Sequence, residues 1–224
     1  MARLTATNRA RVGITYPNQL TGERLAVWLR ADSLDLTDGA AVSAWGDESK
    51  SGANPASQAT ALNRPTYKTN ILNGLPVVRF DGTNAFMDGK LTVAARSVFA
   101  VVNYTGGTPF PDYDGAIGGQ NNDAANVGIV GYGGNAAIYP TSVTNHRVNG
   151  VATAAFTDPT SYHTVYLENP SGAYSASYRI AQDRATTSRR WIGDIAEILI
   201  YTTTLSAANI LLVEEYLLNK YGHY

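Results

Sequence analysis

Short runs in which apolar residues recur at every second position are spread along most of the chain. Such alternation is typical of a β-strand with one covered face. Between Trp191 and Tyr201, both alternating sets are apolar in the second half of the run, which predicts a central strand covered on both sides. The predicted strands lie in residues 25–32, 42–47, 76–82, 97–104, 162–168, 173–178 and 191–201.

A helical period appears only near the end of the sequence. From Ile210 to Tyr221, apolar residues recur every three to four positions and so share one face of a helix. Ser206 is a suitable N-cap, and Gly222 can adopt the left-handed conformation that ends many helices. The pattern predicts one helix from Ser206 to about Tyr221, packed against the strands.

The composition and the spacing of turn residues favour an all-β domain. The 224 residues include 21 Gly and 14 Tyr, which favour strands joined by turns. The segment from Tyr104 to Val148 is rich in Gly, Asn and Asp, which predicts hairpins with long loops. There is no repeat at a fixed period and no internal linker, so we predict a single domain over residues 21–224.

Residues 1–20 differ from the rest of the chain. They contain Arg3, Arg9 and Arg11 and no acidic residue, and they end near the turn-like Tyr16-Pro17-Asn18. We predict a basic N-terminal arm over residues 1–20 that docks on another surface. A partly disordered terminus would explain the same composition.

Charge and cysteine content exclude several functional classes. The formal net charge of −1 provides no field that would attract nucleic acid or an anionic membrane, so neither is a predicted partner. No apolar run approaches the roughly 20 residues of a membrane span, and the first residues lack the apolar core of a secretory leader. The absence of cysteine excludes disulfides, thiol catalysis and sulfur-ligated metal sites.

Several landmarks follow one another in a recognisable order. They are LAVWLRAD at 25–32, WGDES at 45–49, ASQAT at 56–60, RPTY at 64–67, NGLPVVRFDG at 73–82, and WIGDIAEILIY at 191–201. Over roughly residues 25–222 this order resembles the concanavalin A-like, or laminin-G-like, domains of bacterial surface proteins and phage virion proteins. The resemblance implies a two-sheet antiparallel jelly-roll sandwich with one C-terminal helix. It implies carbohydrate binding, adhesion or structural decoration as functions, and it does not choose among them.

Related sandwich folds include glycoside hydrolases, which need two carboxyl groups in one cleft. Asp194 and Glu197 are the comparable pair, but residues three apart on a regular strand point to opposite faces unless a bulge intervenes. We interpret them as polar groups of a turn and an edge. His146, His163 and His223 are isolated, and no serine elbow or phosphate loop occurs. We therefore predict a non-enzymatic protein without catalytic residues or cofactor.

Calcium needs separate consideration, because many laminin-G-like domains hold one ion. Asp112, Asp114 and residues 121–123 offer oxygen ligands at short spacing, but no complete loop with a bidentate glutamate follows. We interpret these residues as ordinary turn residues and predict no metal, with calcium as the alternative.

Carbohydrate binding requires aromatic faces beside polar side chains, and the loops between Tyr104 and Val148 contain both. Scattered surface tyrosines are the competing interpretation in a chain with so many of them. The candidate ligand-binding residues are Tyr113, Asp114, Asn121, Asn122 and Tyr132, with Tyr139 nearby.

These observations lead to two functional hypotheses. The first is a protein of the virion surface of a tailed phage, a capsid decoration or tail-associated protein, which docks on a capsid or tail protein through Arg3, Arg9 and Arg11. The alternative is an extracellular carbohydrate-binding module of a bacterial surface or secreted protein, with a cell-surface glycan as partner. Attachment to a symmetric particle would favour a homo-oligomer, and the oligomeric state is left open.

Overall fold

Residues 16–120, 128–139, 144–156, 158, 161–173 and 177–222 are described by a computed structural model of the chain. Two antiparallel sheets stack face to face, and the one α-helix found among these residues packs outside one of the sheets. The predicted all-β sandwich with one C-terminal helix is confirmed.

Sheet A contains seven strands in the described part of the chain, in the order β10-β11-β7-β13-β5-β4, with β1 paired to the second half of β13. The strand β13 lies between β7 on one side and β5 and β1 on the other, as the sequence predicts for a central strand. The strands of sheet A are β1 (Leu25–Arg30), β4 (Thr66–Leu72), β5 (Leu75–Asp81), β7 (Ala95–Tyr104), β10 (Asn145–Val148), β11 (His163–Ala173) and β13 (Ile192–Tyr201).

Sheet B contains six shorter strands among the described residues, in the order β2-β3-β6-β12-β8-β9. Its edge strands β2 and β9 have two residues each, which limits the length of unpaired backbone at both edges. The strands of sheet B are β2 (Ala44–Trp45), β3 (Ala56–Ser57), β6 (Met87–Lys90), β8 (Gly115–Gly118), β9 (Ile129–Val130) and β12 (Ser177–Ile180).

The main hydrophobic core lies between the two sheets. Trp45 and Trp191 are completely buried there, together with Phe80, Phe110 and Phe156. Alternate residues of the long strands supply this core, because successive side chains of a strand point to opposite faces. The core therefore accounts for the period-two pattern of the sequence.

A second hydrophobic layer lies on the outer face of sheet A, under the helix α1 (Ala207–Tyr221). Ile210, Val213 and Leu217 of α1 pack on this face against side chains such as Phe99 and Leu199. The predicted helix ends are confirmed. The Ser206 hydroxyl accepts a hydrogen bond from the Asn209 amide, and Gly222 is left-handed with φ 69°. No helix in the described part of the chain is long and apolar enough for a membrane span.

Residues 16–20 lie against the α1 side of sheet A. Pro17 is buried in a 3-10 turn and its carbonyl accepts a hydrogen bond from the Tyr201 hydroxyl at 3.3 Å. The ring of Tyr16 lies 5.9 Å from that of Tyr216 on α1, and Leu20 packs on the second hydrophobic layer. The chain from Tyr16 onward is thus attached to the sandwich, whereas Arg3, Arg9 and Arg11 of the predicted arm fall outside the described residues.

The strand β13 contains a β-bulge, which the alternation of apolar residues in the sequence does not predict. Ile195 pairs with Val102 and Glu197 pairs with Val101, which leaves Ala196 as an extra residue. Because of that residue, Asp194 and Glu197 both point to the outer face of sheet A. The interpretation of the pair as polar groups of a turn and an edge is wrong, since both lie on the central strand and are buried.

Candidate functional site

The two sheets differ in how their outer faces are covered. The second hydrophobic layer and α1 cover sheet A. No α-helix of the described part of the chain covers the outer face of sheet B. On that face, Asp88 and Arg179 are partly exposed and Lys90 is exposed, whereas β8 and β9 are buried throughout. Tyr113, Tyr132 and Tyr139 lie just beyond the ends of β8 and β9.

Three tyrosines form a cluster at this end of sheet B. The ring centroids of Tyr113 and Tyr132 are 6.0 Å apart, those of Tyr113 and Tyr139 are 5.1 Å apart, and those of Tyr132 and Tyr139 are 5.3 Å apart. Each side chain is only half-buried. None of the three hydroxyls forms a hydrogen bond with the residues that the structure describes. We call this cluster the tyrosine face.

Local backbone geometry holds the tyrosine face together. The Tyr132 amide donates to the Ala137 carbonyl at 2.8 Å and the Tyr139 amide donates to the Val130 carbonyl at 2.8 Å, so a tight hairpin brings these two tyrosines together. At Gly131, a Cβ would overlap the ring of Phe110, so only glycine allows this close approach. The hairpin is thereby fixed against the segment that contains Tyr113.

The side-chain directions of Tyr113 and Tyr139 follow from those of the residues next to them in the chain. Asp114 and Ile138 are buried and point towards the core between the sheets. Because adjacent residues of an extended chain point to opposite sides, Tyr113 and Tyr139 point outward. The tyrosine face is therefore an external surface and not an extension of the core.

Charged groups border the tyrosine face on one side. The guanidinium of Arg189 lies 4.7 Å from the ring centroid of Tyr113. One of its nitrogens is 3.0 Å from the buried Asp183 carboxylate and another is 3.4 Å from that of Asp112. The Ser188 hydroxyl donates to the other Asp112 oxygen at 3.3 Å. These contacts fix a guanidinium and a half-exposed carboxylate beside the aromatic rings.

The predicted ligand-binding residues are only partly brought together. Tyr113 and Tyr132 meet in the tyrosine face, and Tyr139 joins them. Asp114 is placed differently, because it is only 4% exposed and accepts a hydrogen bond from the buried Tyr104 hydroxyl at 2.5 Å. Burial raises the pKa of Asp114 above its usual value. Asp114 is therefore a core residue, which corrects its prediction as a ligand contact.

The other predicted polar residues, Asn121 and Asn122, lie outside the described residues, as does Asp123. Within the described ranges, no group of three or more acidic or histidine side chains could hold a metal ion. Asp114 is bonded to Tyr104, and Asp112 to Ser188 and Arg189. The calcium alternative thus depends on residues beyond those that the structure describes.

The buried carboxylates of β13 are fully engaged. The oxygens of Asp194 accept two hydrogen bonds from Arg79, at 2.7 and 2.8 Å, and one from the Tyr162 hydroxyl at 2.6 Å. Glu197 lies completely buried under α1, with hydrogen bonds to both of its oxygens. Although they share a face, these two acids are held in place by protein donors and offer no open pair of carboxylates to a substrate.

One cleft lies away from sheet B, near the end of α1. Its volume is about 550 Å³. Its polar groups bond to one another, since a His163 ring nitrogen lies 2.6 Å from the Asp158 carbonyl and the Ser161 hydroxyl donates to the Asp158 carboxylate at 2.6 Å. The lining residues are Leu72, Asn149, Asp158, Ser161, Tyr162, His163 and Gly222. The tyrosine face, with its unbonded hydroxyls, is the better candidate for ligand contact.

Comparison with known proteins adds one structural likeness. No protein-family model matches the chain, and no curated protein matches it. Among solved structures, the chain is similar to domain 4 of AbnA, a GH43 extracellular arabinanase from Geobacillus stearothermophilus, in complex with arabinotriose. The two are 15% identical with a TM-score of 0.47, and the match covers 84% of this chain and 97% of that domain. At this level of similarity, neither a ligand nor a binding site is transferred to this chain.

Proposed function

We propose that this protein binds carbohydrate through the tyrosine face. The observation that carries the proposal is the cluster of three half-exposed tyrosine rings whose hydroxyls are unbonded within the described residues. A sugar ring has apolar C–H faces and a polar edge. Aromatic rings with a few fixed polar groups beside them match both parts.

The polar border adds directional groups to the aromatic surface. Asp112 accepts hydrogen bonds and Arg189 donates them, and their mutual contact keeps both in fixed positions before a ligand arrives. Fixed groups lose little conformational entropy on binding, so each hydrogen bond to a sugar hydroxyl retains more of its free energy. The proposed site therefore combines stacking with oriented hydrogen bonding.

A single substitution tests the proposal. Tyr132→Ala removes one ring from the tyrosine face, and we expect about a tenfold loss of affinity for any glycan that the protein binds, equivalent to about 1.4 kcal/mol. Binding is first surveyed on a glycan array and then measured by calorimetry on the best ligand. Leu211→Ala is the matched control, because Leu211 is an exposed apolar residue of α1 on the other side of the sandwich.

Two outcomes would contradict the proposal. One is a folded wild-type protein that binds no glycan on the array. The other is a Tyr132→Ala variant that binds as tightly as wild type and as the Leu211→Ala control. A melting curve for each variant excludes unfolding as the cause of any loss.

The concanavalin A-like membership of the sandwich stays a prediction, as do both predicted localisations, the virion surface and the extracellular space. The virion-surface hypothesis depends on Arg3, Arg9 and Arg11, which lie outside the described residues. It is compatible with carbohydrate binding, because docking would use the arm and the glycan would use sheet B. The lack of enzymatic activity also stays a prediction.

A further inference from the structure

Two arginines share one phenylalanine on the outer side of sheet B. The guanidinium of Arg179 lies 4.6 Å from the ring centroid of Phe86, and that of Arg190 lies 5.2 Å from it. Arg179 belongs to β12, where it pairs with Asp88 of β6. The ring of Phe86 thus forms cation–π contacts with two guanidinium groups on the outer side of sheet B, the sheet that also borders the proposed carbohydrate site.

The two arginines differ in how their charges are compensated. Arg179 forms a bidentate ion pair with Asp88, in which Nε and Nη2 of the guanidinium donate to the two carboxylate oxygens at 2.7 and 2.8 Å. Arg190 instead donates to two backbone carbonyls, that of Thr187 at 3.2 Å and that of Asn84 at 2.9 Å. It forms no ion pair with any residue that the structure describes, and its Nη2 donates no hydrogen bond there.

The surroundings of Arg190 favour an added negative charge. Burial and the neighbouring Arg179 lower the pKa of Arg190, whereas Asp81 acts on it in the opposite direction without forming an ion pair. One oxygen of the Asp81 carboxylate accepts hydrogen bonds from the amides of Thr83, Asn84 and Ala85. A guanidinium held by carbonyls, with donors to spare, is a suitable partner for a carboxylate or a sulfate.

The position of Arg190 connects it to the tyrosine face. Its chain neighbour Arg189 lies against Tyr113, and consecutive Cα atoms are about 3.8 Å apart. The Arg190 backbone also bridges Gly115, two residues after Tyr113. A single ligand that contacts both the tyrosine face and Arg190 therefore needs two or three sugar units.

We propose that Arg190 binds an anionic substituent of the ligand, so that the protein prefers acidic glycans, those with uronate carboxylates or sulfate esters, over neutral ones. This inference rests on the proposed function and specifies its ligand class. Phe86 and the carbonyls of Asn84 and Thr187 position the guanidinium, and Asp88 prevents Arg179 from competing for the anion.

The test compares charged glycans with neutralised versions of the same glycans. Trigalacturonate is paired with its methyl ester, and sulfated chondroitin oligosaccharides with desulfated ones, so the two anion types are tested separately. The array survey adds any other acidic ligand and its neutral counterpart. For the preferred acidic ligand, we expect Arg190→Gln to lower affinity about tenfold and to leave the neutral counterpart unaffected. Arg190→Lys, which retains the charge, should keep part of the preference.

Arg96→Gln is the matched control, because it removes the same charge from strand β7 of sheet A. A second measurement needs no glycan. Sodium sulfate, compared with sodium chloride at equal ionic strength, should produce a saturable shift of the Arg190 Nε–H NMR signal, which is assigned by its absence in Arg190→Gln. Melting curves establish that the variants are folded.

The outcomes separate this inference from the proposed function. Equal binding of acidic and neutralised glycans, or an Arg190→Gln variant that keeps the preference, overturns the inference while binding by the tyrosine face stands. A sulfate titration without a saturable shift also counts against it. If no glycan binds but sulfate does, the proposed function fails and Arg190 is an anion site unrelated to glycans, which likewise overturns the acidic-glycan preference.

Discussion

Glu197 connects the central strand of sheet A to the helix that covers it. Its oxygens accept hydrogen bonds from Trp28 at 2.6 Å, from Lys220 at 2.7 Å and from Tyr221 at 2.8 Å, with the Tyr216 hydroxyl at 3.4 Å. Burial and the nearby carboxylate raise the pKa of both tyrosines, so they remain protonated donors. A buried carboxylate is tolerated here because its donors compensate for the lost hydration.

Replacing Glu197 with glutamine should therefore destabilise the protein strongly. The change removes one of the two carboxylate partners of the partly buried Lys220 ammonium, which keeps Asp32 at 3.0 Å, and it directs an amide N–H₂ group at other donors. We therefore expect a loss of about 3 kcal/mol in the free energy of unfolding. Urea denaturation measures it. The control is Glu48→Gln, which breaks a half-exposed ion pair with Arg30 at 3.6 Å and should cost less than about 1 kcal/mol. Equal losses in the two variants would refute a special role for Glu197.

Single residues were predictable from the sequence where their role is local. An aspartate followed by glycine after a strand is typical of a turn, and here Gly82 has φ 69° and Asp81 accepts three backbone amides. Asp114 was mispredicted because its role depends on which side of an extended segment faces the core. A lone aspartate between Tyr113 and Gly115 carries no signal for that direction.

At the scale of elements, the bulge in β13 determines which side chains meet α1. If Ala196 were paired as in a regular strand, the alternation beyond Ile195 would direct Glu197 into the core between the sheets and Ile198 to the outer face. The sequence pattern predicts the strand and its central position well, because apolar residues dominate it. It does not reveal the bulge, since Ala196 is small enough to fit either face.

Deletion of Ala196 tests the bulge directly. Because Ala196 has no partner on β7, its deletion leaves Glu197 and Ile198–Tyr201 on their native partners and faces, so we expect the cooperative thermal transition to survive. Ala196→Gly is the matched control, because it keeps the residue count and should cost only about 1 kcal/mol. A deletion variant that loses its cooperative transition would show that the extra residue is required for folding.

At the scale of the whole molecule, residues 16–20 connect the predicted arm to the sandwich. Residues 16–20 pack on the second hydrophobic layer, through the buried Pro17 and through Leu20. The predicted docking function of the arm is therefore best examined by a deletion that leaves these residues intact.

Removal of residues 1–20 should lower the free energy of unfolding by about 3 kcal/mol more than removal of residues 1–15, because it also exposes apolar surface under Tyr16, Pro17 and Leu20. Calorimetry distinguishes the two truncations. If the virion-surface hypothesis is correct, removal of residues 1–15 should be sufficient to abolish association with phage particles in a co-sedimentation assay. Unchanged association would argue against docking by Arg3, Arg9 and Arg11.

The candidate site was less predictable than the fold. The loop tyrosines were identifiable because aromatic residues among Gly and Asn are conspicuous, but Arg189 and Arg190 were not. Their contribution depends on neighbours distant in the sequence: Tyr113 for Arg189, and Phe86 and Asn84 for Arg190. A pair of arginines before a strand otherwise indicates only a solvated loop.

Tyr16 packs on α1, close to where that helix ends at Gly222, and this position affects the orientation of the domain when it is tethered to a scaffold. The chain joins and leaves the sandwich on the α1 side, whereas the tyrosines project from the opposite sheet. A copy tethered at either end to a scaffold would present the tyrosine face, the proposed glycan site, away from the support. Many copies displayed in this orientation would engage a polysaccharide together, and the effective concentration of each additional contact would turn weak single-site binding into firm attachment.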